Sequence, residues 1–215
     1  MTIKEFIKEL NIRMTGVIQV GANRGQELQD YIDLGLRDMI LFEPLEEEDG
    51  HIKNKVNKIP SIYYDSIDIV RKACGNFNGK SKLHESNNIG MSSSLLKPKI
   101  HLQQYPGVKF IKEIEVDVVR LDDYVKDKEK YDFLGIDVQG YELEVLKGST
   151  NLLENHIKIV QAEVNSVELY EGGVLIDDLE KFLEPFGFKR VFCTRDVDFM
   201  KENSRWADAV YVKGS

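Results

Sequence analysis

Three short apolar runs in this chain end on carboxylates: Met39–Phe42 before Glu43, Phe133–Ile136 before Asp137, and Ile159–Ala162 before Glu163. A fourth run, Val17–Val20, is followed by Gly21-Ala22-Asn23-Arg24-Gly25. Each residue type has a use at such a place. Gly21 and Gly25 let backbone approach a ligand closely, and Glu43 can accept both hydroxyls of a ribose. Asp137 and Glu163 can take a proton from a reacting hydroxyl, and with Asn165 they offer three oxygen ligands suited to Mg²⁺. Glu142 lies just beyond Asp137. His84 and His101 are further candidate bases, each with the plainer alternative of a polar loop residue.

Such residues converge only if the runs are neighbouring strands. Thr2-Ile3-Lys4-Glu5 has the pattern of a capping box, so a lead-in helix is expected within residues 1–14. A strand over 17–20, a helix from near Arg24 to Gly35 and a strand over 39–42 then make a βαβ unit, with the glycine turn and Glu43 side by side at the carboxyl ends. Leu45 to Lys58 has a helical pattern with a solvated acidic start. Ile67–Ala73 is a third strand candidate, and Asn76–Lys80 has the character of a hairpin turn. Strands over 116–121, 131–140 and 158–164, a helix over 141–147, another near 175–186 and two closing strands complete the order. Alternation of this kind predicts an α/β domain over 1–215, a doubly wound sheet that is mostly parallel with an antiparallel C-terminal hairpin. Residues 85–107 are rich in Asn, Gly, Ser and Pro; loops of this length inside a domain usually cover a ligand, so the segment is expected to be a substrate loop.

Bulk properties narrow the classes. The chain has 215 residues, 42% of them hydrophobic and 31% charged, with a net charge of −8. That charge argues against a nucleic-acid partner, which needs clustered Lys and Arg. Neither a signal-peptide region nor an apolar run of about 18 residues is present, so no membrane insertion and a cytoplasmic location are expected. Cys74 and Cys193 lie far apart in apolar settings and are expected to be reduced. No feature specifies an oligomeric state.

The glycine turn also narrows the cofactor. A dinucleotide fingerprint needs a glycine where Asn23 stands, because a side chain there obstructs a pyrophosphate. A phosphate-free nucleoside bearing an amino acid, S-adenosylmethionine, fits better, and a dehydrogenase fits poorly.

Val20–Gly25, Phe42-Glu43-Pro44 and Ile136–Gly148 together resemble the FkbM family of S-adenosylmethionine-dependent methyltransferases. Ala73-Cys74-Gly75, Ser92–Leu95, Arg120-Leu121-Asp122 and Trp206–Ala209 are similar to further landmarks in the family's order, so the likeness spans about residues 15–213. It implies a class I methyltransferase fold, Rossmann-like, and O-methylation of a sugar, glycolipid or related natural product, hence a small-molecule or saccharide acceptor. Another acceptor, N- or O-, or a cofactor binder without turnover is the alternative. The implied cofactor residues are Gln19, Gly21, Asn23, Gly25, Glu43 and Ala73; the catalytic candidates are Asp137, Glu163 and Glu142. Gln19 stands where the family usually has Asp and Gln139 where it usually has Glu, which removes one negative charge at the methionine end and one potential base or metal ligand.

Overall fold

The computed structural model describes residues 1–203 and 205–214. Helix α1 (Ile3–Glu9) starts on the expected capping box: the Glu5 N–H donates to the Thr2 hydroxyl at 3.2 Å, and the Thr2 N–H donates to the Glu5 carboxylate at 2.7 Å. The chain continues through β1 (Gly16–Val20), α2 (Leu28–Asp33), β2 (Asp38–Phe42), α3 (Glu46–Val56), β3 (Ser66–Val70), β4 (Ala73–Cys74) and β5 (Gly79–Ser86). Then come α4 (His101–Gln104), β6 (Phe110–Val119), α5 (Leu121–Tyr124), β7 (Phe133–Ile136), α6 (Glu142–Lys147) and α7 (Thr150–Asn155). Last are β8 (Ile159–Asn165), α8 (Ile176–Leu183), β9 (Phe188–Cys193), α9 (Val197–Asn203) and β10 (Trp206–Lys213).

The main sheet has the order β3-β2-β1-β7-β8-β10-β9. Its first five strands are parallel, and β10 runs antiparallel to both β8 and β9. Every residue of β1 and β7 is buried, as expected for central strands covered on both faces. Ile18, Val20, Leu134 and Ile136 pack on one side with Leu146, Leu152 and Leu179; Val17, Met39, Leu41 and Phe133 pack on the other with Leu28, Tyr31 and Ile52. The chain leaves β1 toward β2 and β3 and returns on the other side at β7. A crevice opens where the winding reverses.

Several expectations are corrected. The Ile67–Ala73 run divides: β3 ends at Val70, and Ala73–Cys74 enters a second sheet of order β4-β6-β5. The turn at 76–80 is therefore no hairpin, because β4 and β5 each pair with β6 and not with each other. Helix α2 begins at Leu28 and not near Arg24, so the residues between form turns. The acidic start of α3 is only half solvated: Glu48 and Asp49 are buried, and they pair with Arg24 and Lys53. Among the described residues no helix is long and apolar enough to cross a membrane, and both cysteines are free, Cys74 buried and Cys193 half-buried.

Candidate active site

A cavity of about 430 Å³ runs along the carboxyl edge of the sheet, a size suited to a small ligand. From Glu43 after β2 to Asp208 on β10 it crosses four strand spacings, roughly 19 Å at about 4.8 Å each.

At the β2 end, Gly21, Asn23 and Gly25 all have positive φ, at 80°, 42° and 65°. Asn tolerates this left-handed conformation better than most residues, so it can replace a glycine here. Gly21 is required by the fold itself: a Cβ there would stand 1.8 Å from the Asp137 carbonyl oxygen. The turn aims the Asn23 N–H at Glu43, whose two carboxylate oxygens accept from Asn23 at 2.8 Å and from the Leu45 N–H at 2.9 Å. Burial pushes Glu43 up to about 7 against the pull of these two bonds. Glu43, Gly21, Asn23 and Ala73 line the cavity, with Cys74, Leu83 and Tyr141 supplying apolar wall.

The centre of the cavity holds carboxylates from successive strands. Asp137 follows β7, and Glu163 on β8 lies opposite Asp208 on β10. Glu27, at the start of α2, faces the same space. Gln139 joins two of these groups: its amide N–H₂ lies 2.9 Å from Asp137 Oδ1 and 3.1 Å from Glu163 Oε2. Asp137 is open to the cavity but ringed by protein, and this enclosure raises its proton affinity while the Gln139 bond opposes the rise. Glu163 is raised further, by burial and by Asp137. Burial and Asp137 also lift Glu27 to about 7 and Asp208 to about 6, the latter against Arg195. Such a concentration of acid favours a cationic ligand.

The 85–107 segment forms much of the cavity roof. Asn88, Ser92, Ser94, Leu95, His101 and Tyr105 line it. Among the bonds that hold it down, Asn23 Nδ2 donates to the Ile89 carbonyl at 2.8 Å, the Tyr170 hydroxyl to the Ser92 carbonyl at 2.8 Å, and the Ser94 hydroxyl to the Gln139 carbonyl at 2.8 Å. His101 is buried with Nε2 3.1 Å from Ser92 Oγ, and desolvation lowers its pKa, so the ring is neutral at physiological pH. His84 stands on the small sheet, 3.5 Å from Glu113, outside the cavity wall.

Four expected site residues point elsewhere. Gln19 is buried on the α2 face of the sheet, where the Tyr31 hydroxyl donates to its Oε1; Gly135 leaves it room, since a Cβ there would come within 2.1 Å. Gly25 faces Ile52, which a Cβ on the glycine would meet at 3.7 Å. Glu142 is fully buried, its Oε1 accepting from the Val138 and Gly140 N–H groups at 3.1 Å each, so it braces the loop after β7. Asn165 turns its amide nitrogen to Glu163 at 3.4 Å. The Mg²⁺ expected on Asp137, Glu163 and Asn165 does not fit these donors. The Gln139 amide stands between the two carboxylates, and Asn165 turns its N–H₂ and not its unpartnered Oδ1 to Glu163, where a cation needs convergent oxygen lone pairs. Among the described residues no group of three or more His, Cys, Asp or Glu could hold a metal ion. Glu27 and Asp208 were not anticipated from sequence; the acid inside Trp206-Ala207-Asp208-Ala209 was the available signal for the second.

Residues 19–190 match the methyltransferase FkbM domain. The chain is 28% identical over 165 residues to 2-O-methyltransferase NoeI of Sinorhizobium fredii (strain NBRC 101917 / NGR234), covering 73% of this chain and 65% of that one. Among solved structures it superposes on methyltransferase FkbM from Methylobacillus flagellatus KT with a TM-score of 0.62 at 14% identity, over 96% of this chain and 46% of the other. Magnesium protoporphyrin IX methyltransferase from Synechocystis PCC 6803, solved with bound S-adenosylmethionine, gives 0.55 at 11% identity, over 99% and 76%. The chain thus spans a little under two thirds of the first relative and about half of the second.

Proposed function

This chain belongs to the FkbM methyltransferase family, and on that premise we propose that it is an S-adenosylmethionine-dependent O-methyltransferase acting on a hydroxyl of a sugar, glycolipid or related natural product. The observation that carries the proposal is the row of carboxylates along one cavity, from Glu43 through Asp137 and Glu163 to Asp208. Glu43 is held by backbone N–H groups with further lone pairs for ribose hydroxyls. Ala73, Cys74, Leu83 and Tyr141 suit the apolar faces of an adenine, and the acidic centre suits an ammonium and a sulfonium. The name of the relative NoeI describes methylation of an oxygen, which favours a hydroxyl acceptor.

When bound, S-adenosylmethionine supplies a methyl group already activated by positive sulfur. The protein's work is then to position the acceptor oxygen and remove its proton. Asp137 and Glu163, joined by Gln139, take that proton as a pair, and their raised proton affinity brings them closer to the pKa of an effective base. The 85–107 segment closes over the site and contributes to acceptor choice.

Calorimetry with S-adenosylmethionine, S-adenosylhomocysteine and NAD tests the cofactor assignment; binding of NAD but of neither sulfur nucleoside would overturn it. Transfer of a labelled methyl group to a saccharide panel tests turnover, with Glu163→Gln expected to lower it by about 100-fold.

A further inference from the structure

The β10 end of the cavity is built differently from the Glu43 end. Trp206, the single tryptophan of the chain, opens β10 and lines the cavity. Its indole N–H donates to the Tyr105 hydroxyl at 2.9 Å, and the Arg195 guanidinium lies 4.7 Å from the centre of its ring. Tyr105 also lines the cavity, its ring 4.9 Å from that of His101. The indole is thus tied to the 85–107 segment on one side and to the β9–α9 connection on the other. Trp206 and Asp208 are two residues apart on one strand and so share a face. Asp208 in turn lies opposite Glu163. Aromatic surface and two hydrogen-bond-accepting carboxylates therefore meet on one wall.

We propose that this wall is the acceptor subsite and that it takes a pyranose, with the C–H face of the sugar against Trp206 and Tyr105 and neighbouring ring hydroxyls donating to Asp208 and Glu163. The assignment rests on the methyltransferase reading above. Aromatic faces carry negative quadrupole potential and attract the polarised C–H groups of a sugar ring. The carboxylates decide between ligand classes. Glu163 already accepts from Gln139, so it is half-buried Asp208, opposite it, that gains most from a ligand donor. A planar phenol can cover the rings but brings few hydroxyls, whereas a pyranose supplies adjacent donors to both acids. A hydroxyl bound at Glu163 is also beside the proposed proton-accepting pair, so recognition delivers the oxygen to its base.

Emission from Trp206 reports occupancy of this subsite directly. With S-adenosylhomocysteine saturating, the chain is titrated with methyl glycosides of glucose, mannose, galactose, fucose and N-acetylglucosamine, and separately with catechol and caffeic acid. At least one glycoside is expected to change the emission saturably. Tyr105→Ala should weaken that glycoside by about tenfold or more, and Tyr105→Phe, which keeps the ring, by under about threefold. Calorimetric affinity for S-adenosylhomocysteine should stay within about threefold in both variants, showing that they fold. A phenol that binds where no glycoside does, no response to either class, or glycoside affinity unchanged in Tyr105→Ala would each overturn the assignment while leaving the methyltransferase reading intact. Failure of the unaltered chain to bind either sulfur nucleoside overturns that reading instead.

Discussion

The Tyr170 hydroxyl stands 3.1 Å from Oε1 of Gln139, which turns the other end of that amide toward the carboxylates. Gln139 can therefore donate to Asp137 and Glu163 together, from a backbone with φ of 57°. Donors to a carboxylate favour its ionised form. Gln139→Met keeps the length and removes the donors, so the acid limb of the pH–rate profile should move up by about one unit. Gln139→Glu adds a third acid and should move it further. Identical profiles for all three proteins would remove Gln139 from the proton-accepting arrangement.

Cofactor affinity should depend on pH through Glu27 and Asp208. Their proton affinities without ligand correspond to about 7 and about 6, so both gain charge as pH rises through neutrality. A cation in the cavity stabilises the ionised forms, and its binding releases protons. Affinity for S-adenosylmethionine should rise between about pH 5.5 and about 7.5, and more steeply than for S-adenosylhomocysteine, whose sulfur is neutral. Calorimetry across this range, in buffers of different ionisation enthalpy, measures both slope and proton release. Equal slopes would contradict a sulfonium near these acids.

Glu142 ties stability to pH in the opposite sense from most carboxylates. Burial raises it to about 7, while the unfolded chain releases the proton near the ordinary glutamate value of 4.5. Between those values the folded state holds the extra proton, so stability falls as pH rises through the window, by on the order of 3 kcal/mol for this group. Glu27 and Glu43 act in the same direction. Glu142→Gln, an isostere of the protonated acid, should flatten the dependence and melt no lower than the unaltered protein at about pH 8. Thermal melts across the window decide this; a markedly lower melt at the alkaline end would mean that the ionised form supports the fold.

Asn23→Gly should separate two functions of one residue. The backbone bond to Glu43 survives, while the side-chain bond to the Ile89 carbonyl is lost. Amide exchange should quicken across residues 87–93, with global stability changed by less than about 1 kcal/mol. Unaltered exchange there would show that the segment's remaining bonds suffice to hold it.

Gln19 should matter for folding alone. Gln19→Leu strands the buried Tyr31 hydroxyl at a cost of roughly 1–3 kcal/mol, and adding Tyr31→Phe should recover part of it. Affinity for S-adenosylmethionine should be unchanged in the double variant. A large loss of affinity without loss of stability would return Gln19 to the cofactor site.

The parallel half of the molecule is legible in the order of its residues. A buried parallel strand is a short apolar run, and the residue after it must emerge at the carboxyl edge, so Glu43 and Asp137 were legible from position alone. Glu163 was legible as the acid near the carboxyl end of the 158–164 run, and the motifs around 20–25 and 136–148 carried the family. Side-chain direction and strand partners were decided only in three dimensions. Gln19 is one step from the strand end, yet alternation buries it against Tyr31, away from the ligand edge. Glu142 follows Asp137 closely, but it is fully buried and its Oε1 accepts from the Val138 and Gly140 N–H groups, away from the ligand edge. Asp208 enters the site because β10 runs antiparallel, which brings the start of that strand to the edge where the others end. No local pattern states that direction. It follows from pairing with β8, a contact between segments more than 40 residues apart, as between Glu163 and Asp208.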